Sequence, residues 1–339
     1  MLHRNLRTVF GLLCASLFWI AVAPADNPSL VLQLAMDAPA HVSFVGEVQD
    51  LEIGDSKSVA TIYRIEHRAP DLTQRWYEAP QALYGDSVIS RGNVSYNVDV
   101  KRGRVIVNRN DAIDDQVAIA DNFGLLTQNY RVFFAPDQTV AGLPARVLFL
   151  VNKHTGETTM RVWIDRKTSL VLQKERYASN GSLTSQVRFE QIRYTSAIPA
   201  GVFAVPTGLP RSDGQNHALP SNDITAMVKA AGFKARGPSY LPDGFVPVAG
   251  DLSDVNGIRT LHLLYSDGIR TASLFQNARG IAANFAGYAP RGVAVGGARG
   301  QFVQEGATTL LTWQGSGGLS FTLVGDMSRD ELVKIAASV

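Results

Sequence analysis

Alternation of apolar and polar residues with a period of two is the feature that most constrains the fold of this chain. Val42, Phe44 and Val48 fall on one face of an extended segment, and the run from Ser58 to His67 repeats the pattern. Further runs of this kind are separated by short turns, of which Asn180-Gly181 is the strongest hairpin signal. Because consecutive strands joined by short turns tend to pair, the pattern predicts an antiparallel sheet of about ten strands.

Four segments depart from this alternation and are predicted to be helical, at least in part. They are Pro28–Met36, Asp111–Gln128, the segment that Ser221-Asn222-Asp223 caps and Gly232 ends, and the final segment from Ser328, where Glu331 completes a capping box. Residues 206–220 are rich in proline, glycine and small polar residues and hold few apolar groups. This composition is typical of a linker.

The sequence therefore predicts an α+β protein with two domains. Residues 26–205 are predicted to form a curved antiparallel half-barrel sheet with helices over its concave face. After a linker at residues 206–220, residues 221–339 are predicted to form a smaller antiparallel sheet with helices. A chain of 339 residues is long enough for both, since one domain commonly takes roughly 100–200 residues.

The first 25 residues have the features of a secretory signal peptide. Arg4 and Arg7 precede the apolar run Val9–Val22, and small residues before Ala25 indicate cleavage after that position. An uncleaved membrane anchor is the alternative interpretation. Cleavage would remove Cys14, the only cysteine, and leave a mature chain without disulfides or a thiol nucleophile.

Charge and motifs argue against nucleic-acid binding and catalysis. Without residues 1–25, the 32 basic residues fall to 30, which equals the 30 acidic residues, so no excess of positive charge favours phosphates. The histidines of the mature chain lack metal-ligand spacing, no Gly-x-Ser-x-Gly elbow occurs, and Asp114-Asp115, Glu157 and Asp165 form no evident acid–base pair. We therefore expect no enzyme activity, metal or cofactor, and an exported hydrolase finds no support in the sequence.

The glycine-rich run Gly292–Gly300 lacks the lysine and hydroxyl residue of a phosphate-binding loop. We interpret it as a β-hairpin or a hinge. The arginines near turns, Arg91, Arg102, Arg291 and Arg299, are candidate contacts with acidic groups of a partner. Because an exposed ion pair contributes only ~0–1 kcal/mol, we expect affinity to come mainly from apolar grooves.

Large aromatic residues on the strands of the first domain raise the question of a cavity. Most such residues belong to an ordinary core, yet a curved sheet that its helices fill incompletely would enclose an apolar pocket suited to acyl chains. The candidate cavity residues are Phe44, Tyr63, Trp76, Tyr96, Phe133, Phe149, Trp163 and Phe189.

An ordered set of segments resembles one known family. The segments are Ala60–Arg68 (ATIYRIEHR), Val88–Val107, Arg161–Ile192 (RVWIDRKTSLVLQKERYASNGSLTSQVRFEQI), Tyr240–Phe245 (YLPDGF), Leu263–Phe275 (LLYSDGIRTASLF), and the final strand and helix to Ser338. Together they resemble the MucB/RseB family of periplasmic regulators of the envelope-stress sigma factor. Gly292–Gly300 and Asp111–Gln128 match the family less well.

The resemblance implies a fold and a mechanism. The first domain would be similar to the LolA lipoprotein carriers, a half-open barrel over a hydrophobic cavity. Both domains would hold the periplasmic segment of a single-span anti-sigma factor and shield it from proteolysis until lipopolysaccharide or another acyl lipid displaces it. The alternative is a periplasmic lipid or lipoprotein carrier that uses the same cavity. The sequence does not decide between a monomer and a homo-oligomer.

Overall fold

The computed structural model of the protein describes residues 27–54, 58–109, 122–216, 223–255, 258–278, 285, 289–305 and 308–339. The predicted signal peptide, its cleavage position and Cys14 lie outside the described residues. The same holds for most of the predicted helical segment Asp111–Gln128, of which only residues 122–128 are described.

Two α-helices, two short 3-10 helices (Ala38–Ala40 and Ala200–Phe203) and twelve strands are described in the first part of the chain. The α-helices and strands are α1 Pro28–Asp37, β1 Phe44–Ile53, β2 Ser58–Arg68, β3 Leu72–Ala79, β4 Ser87–Arg91, β5 Val94–Asp99, β6 Arg104–Arg109, α2 Phe123–Asn129, β7 Tyr130–Val140, β8 Leu143–Asn152, β9 Thr158–Asp165, β10 Val171–Tyr177, β11 Leu183–Tyr194 and β12 Arg211–Asn216.

All twelve strands belong to one sheet in the order β12-β6-β5-β4-β3-β2-β1-β11-β10-β9-β8-β7. Strands β1–β6 and β7–β11 each form a meander, as the short turns predict. The pairing of β1 with β11 joins the two meanders and places Phe44 opposite Tyr194. Because β7 and β12 remain as edges, the sheet is open, and the predicted half-barrel class of fold is confirmed.

Strand β12 differs from what the composition predicted. It lies within residues 206–220, the predicted linker, and it pairs with β6 in parallel, with Ser212 opposite Ile106. The large sheet is therefore not purely antiparallel. At a sheet edge a strand is stabilised by its backbone hydrogen bonds and needs few apolar side chains, so hydrophobic patterning did not indicate this strand.

Helices α1 and α2 pack on one face of strands β7–β10. Asn27 caps α1 by accepting a hydrogen bond from Ser29 N at 3.0 Å, and Pro28 occupies the first turn as predicted. The cluster between these helices and the sheet contains Val31, Leu32, Ala35, Leu126, Tyr130, Leu148, Leu150, Met160, Val162, Ile164 and Val171. No helix among the described residues is long and apolar enough to cross a membrane.

The second part of the chain forms a separate antiparallel sheet. Its elements are α3 Ile224–Ala230, β13 Val246–Val255, β14 Ile258–Ser266, β15 Thr271–Asn277, β16 Arg291–Val295, β17 Ala298–Glu305, β18 Thr308–Gln314, β19 Ser320–Gly325 and α4 Arg329–Ala337. The strand order is β13-β14-β15-β19-β18-β17-β16. Apolar side chains of α3 and α4 pack against the buried face of this sheet.

Local sequence patterns predicted a hairpin and a helix start in the second part of the chain. The glycine-rich run forms the hairpin β16–β17, with Val295 opposite Ala298, and Gly296 and Gly297 form the turn at positive φ. Ser328 caps α4 by accepting from Glu331 N at 3.3 Å, so the predicted N-cap at Ser328 is confirmed.

Candidate functional site: a cleft between the two sheets

Four of the eight candidate cavity residues meet in one buried cluster of the first sheet. Phe44 and Tyr63 are 1% exposed, Trp163 and Phe189 are 4% exposed, and Phe44 packs edge-on against Phe189. The pocket lined by Tyr63, Ile65 and Phe189 has a volume of about 10 Å³, roughly enough for one water molecule. Side chains therefore occupy nearly all of the space beside the sheet at this place.

The other four candidates lie outside that cluster. Phe133 and Phe149 face each other across β7 and β8, and Phe133 is 46% exposed. Tyr96 packs at the edge of a third apolar cluster under β4–β6. Trp76 on β3 is 41% exposed. Whether any of the eight contacts lipid stays a prediction.

The four candidate arginines are also spread over the molecule. Arg91 packs over the Tyr96 ring and donates to the carbonyl of Phe203. Arg102 is paired with Asp99 at 3.0 Å. Arg291 and Arg299 are exposed on the β16–β17 hairpin of the other sheet. Their role as partner contacts stays a prediction, and the structure does not gather all four on one sheet.

A buried turn ties the two sheets together. Asp267, between β14 and β15, is 0% exposed, and its Oδ2 accepts from the Tyr130 hydroxyl of β7 at 2.7 Å and from Arg270 Nε at 2.9 Å. Its Oδ1 accepts from the backbone N–H groups of Ile269 and Arg270 at 3.0 and 2.8 Å. Burial, with a contribution from Asp267, raises the pKa of Tyr130, so the hydroxyl remains a donor at neutral pH.

Asn129, the last residue of α2, makes a second set of links across this junction. Its side-chain nitrogen donates to the carbonyls of Gly244 and Asp267, both at 3.0 Å. Its Oδ1 lies 3.0 Å from His154 Nε2, which belongs to the turn after β8. Each buried polar group of Asn129 is therefore satisfied by a partner.

Close packing completes the junction. Gly268 has φ +100°, and a Cβ at this position would lie 2.5 Å from the backbone nitrogen of Leu126. Ile269 is 5% exposed and inserts into the cluster formed by α1, α2 and β7–β10. The β14–β15 turn thus fits into the first sheet with both polar and apolar contacts.

Beside this junction lies a cleft of about 310 Å³ between the two sheets. Clefts that bind ligands commonly measure ~300–1,000 Å³, so this one is at the lower end of that range. Its wall from the first sheet includes Ile53, Glu157, Thr159, Tyr177, Ser182 and Leu183, and its wall from the second includes Arg270, Gln304, Asp326, Met327, Ser328 and Glu331. The cleft thus offers both hydrogen-bonding groups and apolar surface.

An ion pair bridges the two walls. Arg176 of β10 lies 3.1 Å from Asp326, and both side chains are about one quarter exposed (27% and 24%). Strand pairing places Glu52 near this ion pair. Arg176 of β10 lies opposite Ser185 of β11, and Ser185 lies opposite Glu52 of β1. Loss of surrounding solvent and the nearby Asp50 raise the pKa of Glu52 to about 7. The charge near the cleft therefore changes close to neutral pH.

Among the described residues no group of three or more His, Cys, Asp or Glu side chains is placed to hold a metal ion. His262 Nδ1 lies 2.8 Å from Asp251 Oδ2, and its ring stacks on Phe275 with centroids 4.3 Å apart. This pair fixes the orientation of His262 on the sheet.

Comparison with known protein families finds a match in the part of the chain that forms the first sheet. Residues 63–207 match the family described as MucB/RseB N-terminal domain. The chain carries a MucB/RseB domain. Residues 236–339 match a domain of unknown function, DUF4367. Comparison with curated proteins found no match.

The similarity to solved structures extends over both sheets. The Pseudomonas aeruginosa MucA/MucB complex aligns with a TM-score of 0.62 and 17% identity, covering 92% of this chain and 97% of the other. MucB in complex with MucA(peri) aligns with a TM-score of 0.61 and 17% identity, covering 92% and 98%. MucB alone gives 0.57 and 16%, covering 92% and 96%. At such identities the likeness establishes the fold.

The residues of the junction were not recognised in the sequence. Ser266-Asp267-Gly268 has the composition of a turn, which is the only signal that the local sequence offers. Its burial against Tyr130 and Asn129 depends on residues more than a hundred positions away. A turn aspartate that is buried cannot be distinguished from a solvated one by local pattern alone.

Proposed function

We propose that this protein is a periplasmic regulator that binds the periplasmic segment of a membrane anti-sigma factor and shields it from proteolysis. Lipopolysaccharide or a similar lipid would displace the segment and permit proteolysis. The observation that carries the proposal is the cleft of about 310 Å³ between two interlocked sheets. The shared fold of MucB, which has been solved in complex with MucA(peri), supports it.

The junction prepares the cleft for binding. Asp267, Asn129 and Ile269 connect the sheets by buried contacts on one side of the cleft, so its walls are positioned before a partner arrives. Preorganisation of this kind reduces the entropy lost on binding. Protection by occupancy needs no catalytic group, because a bound segment is simply inaccessible to the protease.

The packing of the first sheet bears on how a lipid would act. A pocket of about 10 Å³ beside Tyr63 and Phe189 is far smaller than the ~300 Å³ of the smallest common ligand sites. We therefore place the lipid at the cleft or on the surface, where it competes with the segment. The carrier alternative gains no support from this pocket.

A titration tests the proposal. The purified mature chain is titrated with the periplasmic segment of the anti-sigma factor of the same organism, with and without lipopolysaccharide. We expect saturable binding that lipopolysaccharide weakens, and slower proteolysis of the bound segment. Indifference to both the segment and the lipid would remove this function.

A matched pair of variants locates the site. Ser182 lies on the cleft wall and Ser212 is exposed on β12, away from the cleft lining. Ser182→Trp should fill the cleft and weaken binding by about tenfold or more, a change of roughly 1.4 kcal/mol. Ser212→Trp should leave affinity unchanged. Equal affinities for the two variants would place the segment elsewhere.

A further inference from the structure

The outer side of β7 is an edge of the large sheet, and its two halves differ in how they are protected. The second half contains Pro136, a register shift between Ala135 and Gln138, and Asp137 paired with Arg166 at 2.5 Å. Prolines, bulges and charges are the common means by which proteins block pairing at sheet edges. The half from Arg131 to Phe134 has no proline or bulge.

Some backbone N–H and C=O groups of Arg131–Phe134 point away from the sheet. Lys153 N donates to Asn129 O at 2.8 Å, and Phe133 lies opposite Phe149 in the same register. Because hydrogen-bonded and outward residues alternate along an antiparallel strand, Arg131 and Phe133 bond to β8. The N–H and C=O groups of Val132 and Phe134 therefore point to the side of β7 that pairs with none of the described strands.

Apolar surface flanks these outward groups on both faces of the strand. Phe133 is 46% exposed on one face, beside Phe149, over which Arg161 stacks at 4.4 Å. Phe134 is 39% exposed on the other face. Arg131 is exposed, and it forms no ion pair with the described residues. Exposed phenylalanines at an open edge offer pockets for alternate side chains of an added strand.

We propose that Arg131–Phe134 of β7 is a β-augmentation site for an extended peptide that carries apolar residues at alternate positions and a carboxylate that meets Arg131. This inference rests on the proposed function, because the peptide would be a further stretch of the same anti-sigma segment. Tyr130, at the start of β7, is bonded to Asp267, and Asp267 to Arg270, which lines the cleft. A chain of buried hydrogen bonds thus connects the start of β7 with the wall of the cleft.

A second copy of the chain fits this edge less well. Two β7 strands paired antiparallel about Phe133 would bond through Val132 and Phe134 of each copy. The next outward positions fail, because Pro136 has no N–H and Tyr130 N–H already donates to Leu126 O. The start of β7 is also linked through Asp267 to Arg270 of the cleft wall, which favours one segment that occupies both.

Amide hydrogen exchange resolved to single residues tests this proposal on the full mature chain. In the free protein, the amides of Val132 and Phe134 should exchange fast, while that of Phe133 is protected. When the anti-sigma periplasmic segment binds, exchange of the Val132 and Phe134 amides should slow by about tenfold or more, since each amide gains a hydrogen-bond acceptor.

The outcomes separate this inference from the proposed function. Binding of the segment without added protection at Val132 and Phe134 overturns the edge site and leaves the cleft standing. Absence of any binding overturns both. Protection that rises with protein concentration in the absence of the segment overturns the peptide in favour of a second copy.

Two pairs of variants separate backbone pairing from side-chain contact and charge. Phe134→Pro removes an outward N–H at an edge position that tolerates proline, whereas Phe134→Ala keeps the N–H. We expect Phe134→Pro to weaken segment binding about tenfold and Phe134→Ala clearly less. Arg131→Gln should weaken it a few-fold at low salt, while Arg131→Lys restores it. Equal losses for the two Phe134 variants would overturn strand addition.

Discussion

The carboxylate of Asp267 is a fully buried charge whose stability depends on its partners. Its two oxygens accept hydrogen bonds from Tyr130, Arg270 and two backbone N–H groups, and one of these donors comes from the other sheet. An unpaired buried carboxylate would be strongly unfavourable, so each donor offsets part of the cost of removing the charge from water. Asp267 therefore links local turn geometry to the assembly of the two sheets.

Asp267→Ala should destabilise the protein by about 3–5 kcal/mol, because Arg270 and Tyr130 lose a buried partner. Asp243→Ala is the matched control, since Asp243 lies in an exposed turn of the same part of the chain. Its effect should stay within about 0.5 kcal/mol. Urea unfolding monitored by fluorescence measures both. Similar midpoints for the two variants would contradict the structural role of Asp267.

Among the helices and strands, local sequence signals predicted those elements that local interactions determine. Alternation located most strands, Pro28 marked the start of α1, and the run Gly292–Gly300 gave a hairpin. Strand β12 was missed because its pairing with β6 depends on backbone hydrogen bonds at an edge and leaves no apolar pattern.

The candidate site was predicted less well for a physical reason. Phe44 and Phe133 both sit in alternating strands, yet one is 1% exposed and the other 46% exposed. Which strand becomes the edge depends on the pairing of β1 with β11, a contact between distant parts of the chain. The cleft depends in turn on how the second sheet docks, and no local motif encodes that contact.

The β14–β15 turn allows a prediction with an internal control. Gly268 and Gly297 both have positive φ, at +100° and +90°, but a Cβ on Gly268 would meet Leu126 N at 2.5 Å whereas one on Gly297 would meet nothing within 4 Å. Gly297→Ala should cost about 1–2 kcal/mol from backbone strain alone. Gly268→Ala should cost clearly more, because it also separates the turn from α2. Thermal unfolding of both variants measures the difference, and equal losses would contradict the close contact.

For the whole molecule, the ionisation of Glu52 near the Arg176–Asp326 bridge makes stability depend on pH. The pKa of Glu52 is raised from 4.5 to about 7, so ionisation is less favourable in the folded chain than in the unfolded chain. This contribution to stability is therefore complete below about pH 4.5 and is lost as pH rises towards 7 and above.

Glu52→Gln should accordingly raise the free energy of unfolding at pH 8 and leave it unchanged at pH 4.5. Because the Glu52 side chain, at the end of β1, remains partly open to solvent, solvent screens the charge and the gain at pH 8 should be modest. Glu190→Gln, on β11, controls for the loss of one negative charge. Urea titrations at both pH values measure the effect, and an equal gain at pH 4.5 would disprove the assignment to Glu52.

The parallel pairing of β12 with β6 determines where this protein can be divided. A fragment that stopped at Val205, just before the proline-rich stretch, would leave β6 bare and deprive Val105 N–H of its acceptor, the carbonyl of Pro210, at 2.9 Å. Bare strand edges invite aggregation. A fragment that continues to Asn216 keeps that edge covered, so attempts to produce the amino-terminal half alone should succeed only with those eleven additional residues, 206–216, retained.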